Sequence, residues 1–419
     1  MTSRERVLKT LRHEQPDRVP LDLGGSVLTG MHASSVYALR QALGLDAPGT
    51  PVRVMDPYQM LGEVDLDLVD ALGVDVLPLT AAATLFGFRR ERWKEWRLFD
   101  GTPVLVPDGF NTDPEEGGDI LMYPGGDRSA PASGRMPRGG FYFDEIVRQP
   151  PIVEEKLDPA DNCEEFAVIS DEDLEYYRSE AERLNRESDK AIFAGFCFSS
   201  FGDIALVPAP WLKHPKGIRD IEEWYVSTVT RRDYVYRVFE RQCEVALESL
   251  GKLAAALGDR VQVTLITGTD FGAQNGLFIA PDSYRDLYKP FHRTINDWLH
   301  RNTGWKTFIH SCGSIVDLIP DLIEAGFDIL NPVQTAAAGM DAGELKRRFG
   351  DELVFWGGGI DTQRTLPFGT PEEVRRQVCE RTRLLGEGGG FVFAGIHNIQ
   401  AGVPVENLLA IFDAFRECR

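Results

Sequence analysis

The chain has 419 residues with a formal net charge of −20, and 43% of its residues are hydrophobic while 26% are charged. That composition is typical of a globular protein with a full core, and no apolar run reaches the roughly eighteen residues that a membrane span needs. The negative charge disfavours nucleic acid as a partner, because binding there depends on Lys and Arg neutralising phosphates.

The first segment of the chain predicts a helix. Thr2 and Glu5 have the spacing of a capping box, and the apolar stripe behind them ends before Pro16. The segment carries charges throughout and lacks the apolar stretch and cleavage site of a secretory signal, so we expect a cytoplasmic protein. Six cysteines lie scattered along the chain, and we expect most of them to be reduced thiols.

Residues 85–148 predict an irregular, partly β segment inserted into a larger domain. The stretches RWKEWRLFDGTPVLVP and RMPRGGFYFD combine aromatic residues with DG and GG turn signals. The segment is lid-like in composition, and its rings either pack against an aromatic substrate or form the segment's own core. These rings belong to Trp93, Trp96, Phe141, Tyr142 and Phe143.

Beyond residue 260, short apolar runs alternate with helical stretches, which predicts five consecutive βα units. The strands of these units lie at 261–266, 306–309, 328–330, 353–356 and 391–393. Thr370, Pro371 and Glu373 supply an N-cap, an N1 proline and a capping-box partner for the helix after the fourth strand. Strands that alternate with helices in this way form parallel sheets.

An open doubly wound sheet and a closed (β/α)₈ TIM barrel both fit this alternation. No GxGxxG phosphate loop follows any of the strands, as a dinucleotide-binding fold would usually show. Three further strand candidates, at 19–23, 74–77 and 192–196, complete the eight that a barrel needs. We therefore predict an α/β protein with a (β/α)₈ barrel and an N-terminal helical extension.

In such a barrel the reactive side chains lie at the C-terminal ends of the strands, where the βα loops form the mouth of the site. The polar residues at or just past the predicted strand ends are Asp22, Cys197, Asp270, His310, Cys312, Asn331, Asp361 and His397.

The sequence His310-Ser-Cys312-Gly is the most informative of these. A His and a Cys two residues apart, just past a strand, can turn towards the same metal ion, and imidazole and thiolate are the ligands that zinc prefers. His397 follows the last predicted strand and can reach the same ion. The alternative is that Cys312 is a small buried residue and that both histidines are hydrogen-bonded polar groups.

Asp270 has three functional interpretations: a fourth metal ligand, a carboxylate that orients an imidazole, or a substrate contact. The alternative is a structural role, in which the carboxylate of Asp270 stabilises a turn or caps a helix. We predict Asp270, His310 and His397 as catalytic residues. Candidate cofactor-binding residues are Gln274, Asn331 and Asp361.

With these residues in view, the chain resembles the uroporphyrinogen decarboxylase superfamily, which includes corrinoid-dependent methyltransferases. The resemblance covers nearly the whole length of the chain. It is carried by four stretches: RERVLKTLRHEQPDRVPLDLGG, TDFGAQNGLFIAPDSYRDLYKPFHR, IHSCGSIVDLIPDLIEAGFDILNPVQ and FAGIHNIQAGVPVENL. The resemblance implies one barrel domain over residues 1–419, with residues 85–148 inserted in it.

The methyltransferases that this chain resembles hold zinc through an HxC pair and a cysteine near the C-terminus. His310 and Cys312 match the pair, and the third position falls on His397, which is another competent zinc donor. The resemblance therefore implies zinc at these three residues. It also implies transfer of a methyl group between a small methylated substrate, such as an aryl methyl ether undergoing O-demethylation, and a cobalt corrinoid.

The corrinoid is expected to arrive on a separate protein or free, because none of the seven histidines lies in the DxHxxG motif of corrinoid-carrying domains. The expected partners are thus a small methyl donor or acceptor and a corrinoid protein. The sequence does not decide whether the protein forms a homodimer, and neither nucleic acid nor a membrane is expected as a partner.

Three rival functions remain at this point. A decarboxylase acting on a porphyrinogen or related polyacid is disfavoured, because the arginine-rich N-terminal loop of that branch is replaced by Asp22-Leu23-Gly24-Gly25. A zinc hydrolase would use metal-bound hydroxide. A corrinoid- or tetrapyrrole-binding protein would have kept the barrel and lost catalysis.

Overall fold

The strands form one long parallel sheet and two small sheets. The computed structural model describes residues 1–196 and 198–419, so Cys197 lies outside the described residues. Within them the strands are, in chain order, β1 (Val52–Asp56), β2 (Leu61–Gly62), β3 (Val76–Leu79), β4 (Lys94–Arg97), β5 (Pro103–Val106), β6 (Ile120–Met122), β7 (Gly134–Met136), β8 (Asp144–Glu145), β9 (Ala191–Ala194), β10 (Val263–Thr267), β11 (Lys306–His310), β12 (Ile329–Asn331), β13 (Val354–Trp356) and β14 (Phe391–Val392).

The long sheet closes on itself. Its strands pair in parallel in the order β14-β13-β12-β11-β10-β9-β3. Leu21 fills the gap between the two outer strands: it bridges Phe393 in parallel, and its carbonyl accepts a hydrogen bond of 2.8 Å from the backbone N–H of Asp75. The fold is the predicted (β/α)₈ barrel, with the segment around Leu21 as its first strand.

The helices surround this sheet. They are α1 (Ser3–Thr10), α2 (Ala33–Ala42), α3 (Leu66–Leu72), α4 (Asp171–Glu187), α5 (Ile221–Thr230), α6 (Arg232–Leu257), α7 (Pro281–Ser283), α8 (Lys289–Asn302), α9 (Ile319–Glu324), α10 (Ala342–Phe349), α11 (Thr365–Phe368), α12 (Pro371–Gly386) and α13 (Val405–Cys418), with a π-helical turn at Tyr284–Tyr288 before α8. The capping boxes predicted at Thr2 and Thr370 are both formed.

The interior of the barrel is filled with side chains from alternate strands. The rings of Phe193 on β9 and Phe308 on β11 lie 4.8 Å apart, and Trp356 on β13 packs 5.7 Å from Phe308. Layers built from alternate strands are typical of TIM barrels. The barrel interior is therefore a packed core and not an open pore.

Between β3 and β9 the chain forms small antiparallel pairings outside the barrel. Strands β4 and β5 join the sheet of order β2-β1-β5-β4, and β6, β7 and β8 form a second sheet. The ring of Phe110 lies 5.1 Å from Trp96 and 5.7 Å from Phe143. Of the two interpretations of the aromatic residues there, the structure favours a core of the segment's own for this group.

The N-terminal end of the barrel is held by the carboxylate of Asp75, which is fully buried. It accepts hydrogen bonds from Arg6 Nη1 at 2.7 Å, from Arg18 Nη1 at 2.6 Å and from the backbone N–H of Leu21 at 2.9 Å. Arg6 also pairs with Asp17. One side chain therefore ties α1 and the first strand to β3.

The C-terminal helix is tied to its neighbour by a disulfide. Cys379 on α12 and Cys418 on α13 are bonded, while Cys163, Cys243 and Cys312 are free thiols. No spacing among the scattered cysteines indicated that two of them would meet. In the described part of the chain, no helix is both long and apolar enough to cross a membrane.

Replacing Asp75 with Ala should lower the free energy of unfolding by about 3–5 kcal/mol, because the buried guanidinium of Arg6, the half-buried guanidinium of Arg18 and a buried N–H each lose an acceptor. Urea denaturation measures the change. The matched control is Asp413→Ala, which removes an exposed pair with Arg416 and should cost less than about 1 kcal/mol. Equal losses in the two variants would contradict this account.

Candidate metal centre

Three potential zinc ligands meet at the C-terminal mouth of the barrel. His310 is the last residue of β11, Cys312 follows two residues later, and His397 lies in the loop after β14. One ligand atom from each lies within 4.8 Å of the others. Cys312 Sγ is 3.3 Å from His310 Nε2, and the two imidazole rings are 5.5 Å apart.

A chain of hydrogen bonds orients His310. Its Nδ1 lies 2.5 Å from Asn331 Oδ1, and since Asn331 Nδ2 donates to the carbonyl of Trp356 at 2.8 Å, the amide oxygen faces the imidazole. Nδ1 therefore carries the proton, which leaves the Nε2 lone pair free to face Cys312. The indole of Trp356 in turn donates to Asp22 Oδ2 at 2.7 Å.

Asp270 holds the loop that carries the cysteine. Its Oδ1 accepts a hydrogen bond of 2.6 Å from the backbone N–H of Cys312. Gly313 follows with φ of +87°, and a Cβ there would lie 2.4 Å from the carbonyl of Gly272. The glycine of the HSCG motif is thus required because the loop turns back tightly against the chain just after Asp270.

Burial keeps the histidines uncharged. It lowers the pKa of His310 to about 4, and burial together with the neighbouring His310 lowers the pKa of His397 to about 4. Burial, reinforced by the charge of Asp270, holds the pKa of the Cys312 thiol well above its usual range. Burial also raises the pKa of the Asp270 carboxyl.

These residues fit zinc. Two neutral imidazoles and a sulfur offer the donor set that zinc prefers, and three protein ligands leave a fourth position open for a substrate. One imidazole has the outer hydrogen bond that fixes a ligating histidine. A cation among these groups would offset the desolvation that now disfavours the thiolate.

The site opens into a cavity of about 400 Å³ at the barrel mouth, lined by His310, His397 and Asp270 on one side. Apolar side chains from three strands, Leu79, Phe193 and Leu265, form much of its floor. That size suits a small organic molecule.

Three further carboxyl groups line the same cavity, and the sequence did not point to a function for any of them. They belong to Asp56 on β1, Glu145 on β8 and Asp203 in the loop after β9. Burial raises the pKa of Asp203 to about 6, and burial with the charge of Asp203 raises that of Glu145 to about 8. All three lie before the regular alternation of strands and helices that begins after residue 260, and none of them directly follows the end of a predicted strand.

The other predicted site residues lie elsewhere. Gln274 donates to the carbonyl of Ala336, and Asp361 accepts hydrogen bonds from the N–H groups of Gln363 and Arg364 at 2.8 and 3.0 Å. Neither is among the described residues that line the cavity. Asn331, the third candidate cofactor-binding residue, instead supports His310.

The fold and the site define a TIM barrel with three potential metal ligands at its mouth, and sequence comparison shows its family. The sequence profile of the family described as uroporphyrinogen decarboxylase (URO-D) matches residues 140–418. The chain belongs to this family.

Among its curated relatives, the uroporphyrinogen decarboxylase of Psychromonas ingrahamii is 28% identical over 40% of this chain and 47% of its own length. That of Shewanella pealeana is 24% identical over 46% of this chain and 56% of its own. The chain thus spans about half the length of the curated relatives it matches. A solved methyltransferase from Methanosarcina mazei is similar in fold, with a TM-score of 0.55 and 15% identity over 100% of this chain and 99% of the other.

Replacing Asn331 with Leu should weaken zinc binding by about 10- to 100-fold, because His310 loses the acceptor that orients it. Competition with a chromogenic chelator measures the affinity. Asn302→Leu is the matched control, since Asn302 is exposed and bonds only to the carbonyl of Trp298 among the contacts described. An Asn331→Leu protein that binds zinc as tightly as the control would show that this hydrogen bond has no role in the site.

The pH dependence of stability should reveal the proton on Glu145. Its pKa rises from 4.5 in the unfolded chain to about 8 in the folded one, so the folded state keeps a proton that the unfolded state loses. The stabilisation is complete below pH 4.5 and disappears as pH rises through about 8.

Relative to Glu145→Gln, the parent protein should therefore lose up to about 1.4 kcal/mol per pH unit across this window. Urea denaturation from pH 4 to 9 tests this. Glu155→Gln, a change at an exposed position, should follow the parent curve. Parallel curves for the parent and Glu145→Gln would contradict the assignment.

Proposed function

We propose that the protein is a zinc-dependent methyltransferase, which moves a methyl group between a small methylated substrate and a cobalt corrinoid. The observation that carries this proposal is the His310, Cys312 and His397 cluster, whose ligand atoms lie within 4.8 Å of one another at the mouth. A decarboxylase that works without metal has no need of three converging donors. The methyltransferase name of the Methanosarcina mazei protein with the same fold is in accord with it.

The charge of the cavity supports a substrate other than a polycarboxylate. Four carboxyl groups line it, and among the described lining residues Arg90 is the sole Lys or Arg. Its guanidinium donates to the carbonyls of Met55, Ala81 and Ala83. A porphyrinogen with several carboxylates would therefore find one arginine, already bonded to backbone carbonyls, and no further Lys or Arg in the described lining to pair with.

In the proposed reaction His310, Cys312 and His397 hold the metal. Bound zinc supplies Lewis acidity to the oxygen or sulfur that carries the methyl group. Asp270 lines the cavity beside His310 and His397, and from this position its carboxyl gives a proton to that heteroatom as the methyl leaves. In the opposite direction it takes the proton back.

The apolar floor and the barrel mouth complete the arrangement. Leu79, Phe193 and Leu265 keep water from the reacting heteroatom, which strengthens the electrostatic interactions there. The corrinoid is proposed to come from a separate protein that docks over the mouth, because the chain has no DxHxxG motif of its own. An aryl methyl ether is the substrate that we propose first.

Replacing Cys312 with Ala should lower bound zinc by at least about tenfold, because one of three ligands is removed. Methyl transfer to cob(I)alamin from a panel of methoxylated aromatics, thiols and amines should fall with it. Zinc is measured by elemental analysis and methylcobalamin by its absorption spectrum.

Cys243→Ala is the matched control, since Cys243 is a free thiol buried on α6, away from the cluster. It should keep both zinc and activity. A Cys312→Ala protein with unchanged zinc and unchanged methyl transfer would contradict the proposal. A parent enzyme that shows no methyl transfer with any compound of the panel would contradict it as well.

A further inference from the structure

A second cavity, of about 280 Å³, lies beside the one at the metal centre. Both cavities are lined by Leu85, Asp203 and Leu206, so these residues form a shared wall. The second cavity lies between α6 and the loop that follows β9. We call it the side cavity.

The side cavity has the size and the lining for an aromatic ring. An apolar cavity of about 150 Å³ is enough to hold benzene. Rings bind well among other rings, because edge-to-face and offset contacts add to the burial of apolar surface. The aromatic residues that line the side cavity are Phe166, Phe196, Phe198, Trp211, Trp224 and Phe239.

One hydroxyl group in this lining has no partner. Ser200 is 3% exposed, and its Oγ makes no hydrogen bond to any described residue. The adjacent Ser199, by contrast, donates to the carbonyl of Ile266 at 2.8 Å. A buried hydroxyl without a partner is costly, and an oxygen on a bound ring would satisfy it.

Apart from Asp203 in the shared wall, the side cavity offers a ligand no ionisable side chain without an ion pair among the described residues. Arg219, at its wall, is paired with Glu165 through contacts of 2.7 and 3.0 Å. Gln242, also in the wall, donates to the carbonyl of Phe198. The lining therefore suits a neutral ring.

We propose that the side cavity binds a neutral aromatic ring that bears a hydroxyl or ether oxygen, as the non-reacting part of the methyl donor. The ring packs among the aromatic residues with its oxygen at Ser200, and the methyl-bearing end reaches the metal centre past Leu85 and Leu206. This inference rests on the proposed function only for the identity of the ligand as methyl donor, since binding of the ring itself needs neither zinc nor corrinoid.

The test uses phenol as the soluble probe and 4-iodophenol for crystals, where anomalous scattering locates the iodine. Calorimetry should detect phenol binding to the parent protein, and the iodophenol ring should lie in the side cavity. Iodine found only in the cavity at the metal centre, or no binding of phenol, would overturn the proposal.

Val245→Phe fills the side cavity, since Val245 lines it and is buried, and should abolish phenol binding. Val229→Phe makes the same change at a position that is 69% exposed and should bind phenol like the parent. If Val245→Phe does not fold, Ser200→Ala tests the proposal instead. It should weaken phenol binding about three- to tenfold and leave benzene binding unchanged, and equal effects on both ligands would count against the proposal.

The failure of this inference and that of the proposed function can be told apart. Cys312→Ala should lose methyl transfer and still bind phenol in the side cavity. If the parent protein transfers methyl groups but does not bind phenol, only the proposal that the side cavity binds an aromatic ring is refuted. A protein that binds phenol there but never transfers a methyl group refutes the proposed function and leaves a ring-binding site.

Discussion

The closed barrel depends on one buried carboxylate. Asp75 accepts hydrogen bonds from two arginines and from the backbone of the first strand, and that strand is present only as a single bridge at Leu21. A strand so short has little pairing energy of its own, so side-chain contacts at the base must hold it in the gap between β14 and β3. Closure then brings the ends of β11, β12 and β14 to one mouth, where residues distant in sequence can share a metal.

The sequence predicted the barrel because its strands and helices alternate regularly, and the observed strands differ from the predicted ones by one or two residues at their ends. It predicted the positions of His310, Cys312 and His397 for the same reason, since each follows a strand. Glu145, Asp203 and Ser200 could not be found in that way. Ser200 and Asp203 lie in the loop after β9 and Glu145 on the two-residue strand β8, and their environment is created by tertiary packing that no local pattern encodes.

The aromatic residues illustrate the same limit. Between β3 and β9 they were conspicuous in the sequence, yet Trp96 and Phe143 pack around Phe110, and Tyr142 is 51% exposed. The rings that line the side cavity are dispersed over several elements, from Phe166 to Phe239. Composition shows how many rings a chain has, but tertiary packing decides which of them enclose space.

The hydrogen bonds that run from Asp22 through Trp356 and Asn331 to His310 begin on the first strand and end at the mouth. The hydrogen bonds that support His310 are therefore complete only when the two ends of the sheet have met. By linkage, an ion that prefers the site with these hydrogen bonds complete adds binding free energy to the closed form. An ion bound at His310, Cys312 and His397 would thus favour the closed sheet, and the first strand would assist its binding without contributing a ligand.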